Sequence, residues 1–178
     1  MVLLQLEVPM ATVVRAAEHA TGLVVLNPAP PAELPADLVA QVDVLVPNEW
    51  ELGQLSALMH GTEQAIEAPT VEQAEQTARS LGVRNVVVTL GSRGALVVPQ
   101  DAAAQRVAPP RVDAVDTTGA GDCFCGALSA ALSQGSDLVE ATRFAVAAAA
   151  LSTTAHGARG YLPDMPAVLA QVEPRSKG

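Results

Sequence analysis

Short apolar runs alternate with helical segments along most of the chain, and this alternation is the feature that most restricts its fold. The clearest run is 86–90, which follows an amphipathic segment over 71–81. Continuous apolar runs are typical of strands that are buried on both faces. The pattern predicts an α/β fold with a mostly parallel sheet and helices on both of its faces. It predicts further strands over 2–6, 23–26, 42–46, 95–98 and 105–108, and further helices over 11–20, 49–58, 120–132, 138–153 and 165–172.

The composition suits one globular domain. The chain has 178 residues, of which 49% are hydrophobic and 16% charged. Its net charge of -9 argues against nucleic acid or an anionic membrane as the main partner. An anionic substrate stays open, because backbone N–H groups can bind a phosphate. Cys123 and Cys125 lie in an apolar helical pattern and form no disulfide framework, which favours a cytoplasmic protein.

The most informative motif is a glycine-containing segment directly before an apolar helix, Asp116-Thr117-Thr118-Gly119-Ala120-Gly121-Asp122. Glycines permit tight turns and close approach of a ligand, and a helix N-terminus directs free N–H groups at an anion. Beside a phosphate, Asp122 would be placed to accept the proton of an attacking hydroxyl. A turn followed by an acidic helix cap fits the same residues, so the local pattern leaves both interpretations open.

This segment resembles the second signature of the ribokinase (PfkB) family of carbohydrate kinases. Other segments occur in the order that the family has: Leu4-Gln5-Leu6-Glu7, Leu26-Asn27-Pro28-Ala29-Pro30, Val46-Pro47-Asn48-Glu49, Thr89-Leu90-Gly91-Ser92-Arg93-Gly94 and Arg143-Phe144-Ala145. The resemblance implies that Asp122 is the catalytic base. It also implies that Gly119, Ala120 and Gly121 form the anion hole, and that Glu7 and Asp122 contact the sugar.

A second motif is Asn-x-x-Glu after a predicted strand, formed by Asn48 and Glu51. Oxygen ligands, often with water, are what magnesium uses beside phosphates. Alone, the pair is more often a helix cap with a first-turn glutamate than a metal site. The resemblance implies that Glu51 holds Mg²⁺ through water. It assigns ATP binding to Asn48, Thr89, Gly91, Ser92, Gly94 and Gly121, although 89–94 alone is only a turn.

The resemblance also implies a monovalent cation site for K⁺. Its residues would be Asp116, Thr118, Ser152, Ala155 and Gly157. One carboxylate with backbone carbonyl oxygens suits a large, weakly hydrated cation. The chain departs from the family pattern at Tyr161, where members tend to carry a small hydroxyl residue. It also departs at Val146, where a polar group often meets the adenine.

Family members carry a glycine-rich sugar-binding motif and a small lid sheet before the matched region, and these 178 residues contain neither. We therefore expect residues 1–178 to form one partial ribokinase-like domain, the nucleotide-binding and catalytic C-terminal part. The expected function is ATP-dependent phosphorylation of a sugar hydroxyl, with D-ribose favoured and ribose 5-phosphate as product. Two alternatives are a truncated, non-catalytic fragment that retains nucleotide binding, and a family kinase for another sugar or a nucleoside. The resemblance also implies a homodimer in a full-length form.

Overall fold

The computed structural model describes residues 1–61 and 69–172. It divides the chain into two compact units. Unit 1 comprises residues 1–91 and 96–106, and unit 2 comprises residues 92–95 and the chain from 107 onward. The prediction of one partial domain over 1–178 stays a prediction. No helix within the described ranges is long and apolar enough to cross a membrane.

The sheet has six strands, and their order in space is their order in the sequence. The strands are β1 (Val2–Leu4), β2 (Val24–Leu26), β3 (Val44–Leu45), β4 (Asn85–Thr89), β5 (Ala95–Pro99) and β6 (Gln105–Val107). The first four are parallel, with Leu26 opposite Leu45 and Leu45 opposite Val86. The predicted α/β fold with a mostly parallel sheet is therefore confirmed, and the predicted strands β5 and β6 are neighbours in this sheet.

The helices of unit 1 pack on one face of this sheet. They are α1 (Met10–Glu18), α2 (Ala36–Val39), α3 (Glu49–His60) and α4 (Val71–Ser80). One buried cluster joins strand side chains to helix side chains; it includes Val24, Leu26, Leu45, Val86, Val88, Val13, Leu38, Leu52 and Ala74. Strand residues of the other face are buried as well, among them Val25, Val44, Val87 and Val97. Burial on both faces explains why the strands read as unbroken apolar runs.

Several boundaries differ from those that the sequence predicts, for local reasons. The run 42–46 yields only the short strand β3, since the Val42 N–H still bonds to the Leu38 carbonyl at the end of α2, at 3.1 Å. Helix α2 was not predicted, because four residues after Pro35 are too few to show a helical period. Helix α3 continues past 58 to His60, where Gly61 ends it with a φ of 64°.

The described part of unit 2 contains three helices, and the first two are joined by the short segment 134–137. Its helices are α5 (Ala120–Ser133), α6 (Leu138–Ser152) and α7 (Met165–Val172). Asp137 caps α6 by accepting a hydrogen bond from the Glu140 N–H at 2.8 Å. Residues Ala147 and Ala148 of α6 pack with Val168 of α7, and their small size permits close approach. Neither cysteine forms a disulfide within the described residues, and burial raises the pKa of Cys123.

Candidate functional site

Polar side chains of unit 1 stand where three neighbouring parallel strands end. Asn27 follows β2 and donates from Nδ2 to the Val46 carbonyl at 2.8 Å. Asn48 follows β3 and forms a parallel bridge with Thr89, the last residue of β4. The Thr89 N–H donates to the Pro47 carbonyl at 2.9 Å. Ligands of open parallel sheets bind at this carboxyl edge, so these residues are placed for a ligand.

Glu7 comes after β1 at the same edge of the sheet. Its backbone N–H donates to Gln5 Oε1, and Gln5 Nε2 donates to Glu7 Oε2 at 3.3 Å. The Glu7 side chain is exposed, so its carboxylate retains acceptor capacity. Its predicted role as a sugar contact stays a prediction.

Asn48 and Glu51 form a reciprocal cap at the start of α3. The Glu51 N–H donates to Asn48 Oδ1, and the Asn48 N–H donates to Glu51 Oε2, both at 2.8 Å. The capping interpretation of Asn-x-x-Glu is thus correct for the local geometry. No residue in the described ranges donates a hydrogen bond to Glu51 Oε1, although Glu51 is only 9% exposed.

Burial gives Glu51 an unusual electrostatic position. Desolvation raises the pKa of its carboxyl group, and the hydrogen bond from the Asn48 N–H offsets only part of that rise. A nearby cation would compensate the buried negative charge. The described residues contain no group of three or more His, Cys, Asp or Glu side chains that could hold a metal. A magnesium ion at Glu51 would therefore depend on water and phosphate oxygens for its other ligands.

The turn after β4 contains two glycines with positive φ, and they differ in what surrounds them. A Cβ on Gly94 would lie 2.0 Å from the Val107 carbonyl oxygen, so backbone packing alone requires this glycine. A Cβ on Gly91, at φ 55°, would meet nothing within 4 Å. Residues Gly91–Arg93 form a single 3₁₀ turn, and Ser92 is exposed. Nucleotide contacts of Thr89, Gly91, Ser92 and Gly94 stay predictions.

In unit 2, Asp116 accepts hydrogen bonds from two segments that are far apart in the sequence. Its Oδ1 accepts from the Thr118 N–H at 2.9 Å and from Thr118 Oγ1 at 2.7 Å. Its Oδ2 accepts from the Gly157 N–H at 2.8 Å. The Thr118 hydroxyl, the Gly157 N–H and the Thr118 N–H are the main causes that lower the pKa of Asp116 to about 2. Three of the predicted cation residues therefore lie together.

The other two predicted cation residues, Ser152 and Ala155, make no direct hydrogen bond to Asp116 within the described residues. Ser152 is buried and donates from Oγ to the Ala149 carbonyl at 2.8 Å. The next carbonyl, that of Thr153, accepts from the Val115 and Asp116 N–H groups at 2.7 and 3.0 Å. Ala155 is half-buried in the loop that follows. Cation binding by this loop stays a prediction.

The N-terminus of α5 is open, and the residue Ala158 packs closely against its N-cap. Gly119 is the N-cap with a φ of 77°, and a Cβ there would lie 2.9 Å from Ala158 Cβ. The Ala120 N–H donates to the Thr117 carbonyl at 3.1 Å, so this amide is already used in closing the turn. The N–H groups of Gly121 and Asp122 have no acceptor within the described ranges. Two exposed amides at a helix start form an anion-binding feature.

Asp122 lies in the first turn of α5, exposed, and its carboxylate makes no hydrogen bond to any described residue. The interpretation of Asp122 as a helix cap is wrong, since Gly119 is the N-cap and no side chain caps this helix. The carboxylate is thus free to accept a proton. The sequence analysis did not predict the turn over 157–160, which packs on Gly119. The two glycines at its ends, Gly157 and Gly160, were the signal in the sequence that could have indicated it.

The sequence of the chain is similar to one protein family and to proteins of named activity. The family model described as pfkB family carbohydrate kinase matches residues 2–165. A ribokinase of Staphylococcus aureus (strain COL) is 36% identical over 166 residues, which cover 91% of this chain and 53% of that protein. A deoxyribokinase of Salmonella typhi is 39% identical over 174 residues, which cover 93% of this chain and 53% of that protein.

A solved structure gives the same picture in three dimensions. The Arabidopsis thaliana ribokinase complexed with ribose and ATP superimposes with a TM-score of 0.84 and 34% identity, over 96% of this chain and 55% of that one. The chain therefore spans about half the length of the relatives that it matches.

Proposed function

The chain belongs to the pfkB family of carbohydrate kinases, and we propose from this that it serves ATP-dependent phosphorylation of a sugar hydroxyl, the 5-hydroxyl of D-ribose being the favoured acceptor. The names of its relatives support a sugar kinase, and one similar structure holds ribose and ATP. The product would be ribose 5-phosphate. Two cysteines that form no disulfide within the described residues fit the expected cytoplasmic location.

The observation that carries the proposal is the open start of α5. The free N–H groups of Gly121 and Asp122, with the positive end of the helix dipole, would stabilise the negative charge on a transferring phosphoryl group. The unbonded carboxylate of Asp122 would accept the proton of the sugar hydroxyl as that oxygen attacks. Phosphoryl transfer depends mainly on positioning and charge stabilisation, and this arrangement offers both.

Two structural supports keep this helix start in one conformation. Gly119 adopts a left-handed conformation against Ala158, which fixes the direction from which the chain enters α5. Asp116 bonds Thr118 on one side and Gly157 on the other. A rigid loop keeps free amides aimed at one point, which is the condition for electrostatic preorganisation.

The expected ions fit the residues that are present. Glu51 is buried, and one of its carboxylate oxygens accepts no hydrogen bond from the described residues, so it would hold Mg²⁺ through water. Mg²⁺ would neutralise charge on the ATP phosphates. Asp116 already accepts three hydrogen bonds and would add one more contact, so carbonyls of Thr118, Ser152, Ala155 and Gly157 would supply most ligands for K⁺.

A second acceptor is favoured by one specific observation. The deoxyribokinase relative is 39% identical, and the ribokinase relative is 36% identical. The chain thus has comparable identity to a ribokinase and to a deoxyribokinase, and 2-deoxy-D-ribose is the second candidate substrate.

The experiment is phosphoryl transfer from radiolabelled ATP with Mg²⁺ and K⁺ to a panel of D-ribose, 2-deoxy-D-ribose and D-fructose. Labelled ribose 5-phosphate in excess of the other products is the expected result. Calorimetric titration of the same sample with Mg·ADP separates the alternatives. Binding without transfer would favour a nucleotide-binding chain that lacks turnover. A folded sample that binds no Mg·ADP at millimolar concentration would contradict the proposal.

A further inference from the structure

The turn over 157–160 in unit 2 is held rigidly by its backbone. The Gly160 N–H donates to the Gly157 carbonyl at 2.9 Å, which closes the turn. Gly157 has a φ of 83°, and its own N–H is fixed by Asp116 Oδ2 at 2.8 Å. A Cβ on Gly160 would lie 2.1 Å from the His156 carbonyl oxygen, so only glycine fits there. The two central residues of this turn, Ala158 and Arg159, therefore have a defined position.

This turn lies directly against the start of α5. A Cβ on Gly119 would lie 2.9 Å from Ala158 Cβ and 3.0 Å from Ala158 Cα. Arg159 is the next residue, and adjacent Cα atoms are about 3.8 Å apart. The Arg159 backbone is thus one residue away from contact with the N-cap of α5. An arginine side chain is long enough to extend from there into the space before the free amides.

The side chain of Arg159 is also available to bind a ligand. It is exposed, and no ion pair or hydrogen bond joins it to another residue in the described part of the chain. The groups that lower the pKa of the neighbouring Asp116 are Thr118, Gly157 and His156, and Arg159 is not among them. In a chain with a net charge of -9, a guanidinium beside a helix N-terminus adds positive charge where an anion is expected.

We propose that Arg159 is a further phosphate-binding residue, which contacts the terminal phosphates of the nucleotide in front of the Gly121 and Asp122 amides. The inference rests on the proposed function, because it names a new residue for the same anion. The chemistry favours arginine, since its planar guanidinium can donate two parallel hydrogen bonds to phosphate oxygens.

The test is calorimetric titration of the wild type, Arg159→Gln, Arg159→Lys and Arg143→Gln with Mg·ADP, AMP and adenosine. Arg143 is a matched control, an exposed arginine nine residues before the end of α6, about 14 Å along the helix axis. Arg159→Gln should weaken Mg·ADP binding about 10- to 100-fold, as expected for loss of a charge-assisted contact. Adenosine binding should not change, Arg159→Lys should recover part of the ADP affinity, and Arg143→Gln should match the wild type.

The possible failures are distinguishable. Equal Mg·ADP affinity of Arg159→Gln and the wild type would overturn the role of Arg159 and leave the proposed function standing. Equal weakening of adenosine and ADP would also overturn it, because the effect would then not be on phosphate. A wild type that binds no nucleotide would refute the proposed function and the inference together. A fourth titrant, ribose 5-phosphate, decides the source of the phosphate: if its binding alone is weakened, Arg159 binds a sugar phosphate and the nucleotide assignment is wrong.

Discussion

Helix α5 contains two glycines that its own packing does not require. Gly121 and Gly126 both have ordinary negative φ, and a Cβ on either would meet nothing within 4 Å. Alanine is about 0.8–1 kcal/mol more favourable than glycine inside a helix. Gly126→Ala should therefore raise the melting temperature by about 2–4 °C for a chain of this size. Gly121→Ala should raise it less, because the first turn of a helix gains less from propensity.

The two substitutions should differ in their effect on ligand affinity. A Cβ on a helix is tilted toward the N-terminus, so a methyl group on Gly121 would occupy space from which a phosphate approaches its N–H. Loss of one charge-assisted hydrogen bond costs about 1.5–3 kcal/mol, which corresponds to about 10- to 100-fold in affinity. Gly126 lies more than one turn further along α5, and its substitution should leave affinity unchanged.

The assay is thermal unfolding and Mg·ADP titration on the wild type and both variants. We expect two variants that melt at or above the wild-type temperature, of which only Gly121→Ala has lost nucleotide affinity. If Gly121→Ala binds Mg·ADP as tightly as Gly126→Ala, the start of α5 does not contact phosphate and our reasoning is refuted. A Gly121→Ala variant that melts early would show that a packing contact, not a ligand, requires this glycine.

Three further predictions concern acidic side chains. Asp122→Asn should reduce kcat for sugar phosphorylation by about 10²–10⁴-fold in steady-state kinetics, with little change in melting temperature or Mg·ADP affinity, because the carboxylate bonds to nothing in the described chain. Glu51→Gln keeps an oxygen acceptor for the cap and removes a buried carboxylate, whose pKa burial raises, so the free energy of unfolding at pH 7 should rise while Mg·ADP affinity falls. Unchanged Mg·ADP affinity would argue against a magnesium role of Glu51. Asp116, whose pKa is lowered to about 2, should contribute stability that is complete above its ordinary pKa of 3.8 and is lost as the pH falls toward 2; acid unfolding of Asp116→Asn should lack this slope.

The parallel strands of the sheet could be predicted from the sequence because each strand is marked by its own local pattern of residues. Each of the first four strands is a short apolar run followed by a polar or proline-containing segment, and such runs indicate parallel strands wherever helices separate them. The carboxyl ends of parallel strands fall at one edge of the sheet, where the structure pairs Asn48 with Thr89.

What could not be predicted depends on contacts between residues far apart in the chain. The sequence could not decide whether Asp122 caps a helix, since acidic first turns serve both purposes; the decision needed the backbone of Gly119 and the free carboxylate. Gly94 was assigned to a nucleotide, yet its proximity to the Val107 carbonyl explains it without any ligand. Likewise, Val146 is buried, which accounts for an apolar residue where the family often has a polar one.

The central claim is that nucleotide phosphates bind at the start of α5. Two-dimensional amide NMR spectra of the chain during titration with Mg·ADP test it most directly, because Gly121 and Asp122 amides report on hydrogen bonding at their own positions. We predict large, saturable shifts of both resonances, with the Gly126 resonance in the same helix nearly unmoved. Saturable shifts elsewhere in the chain with Gly121 and Asp122 unchanged would contradict the claim.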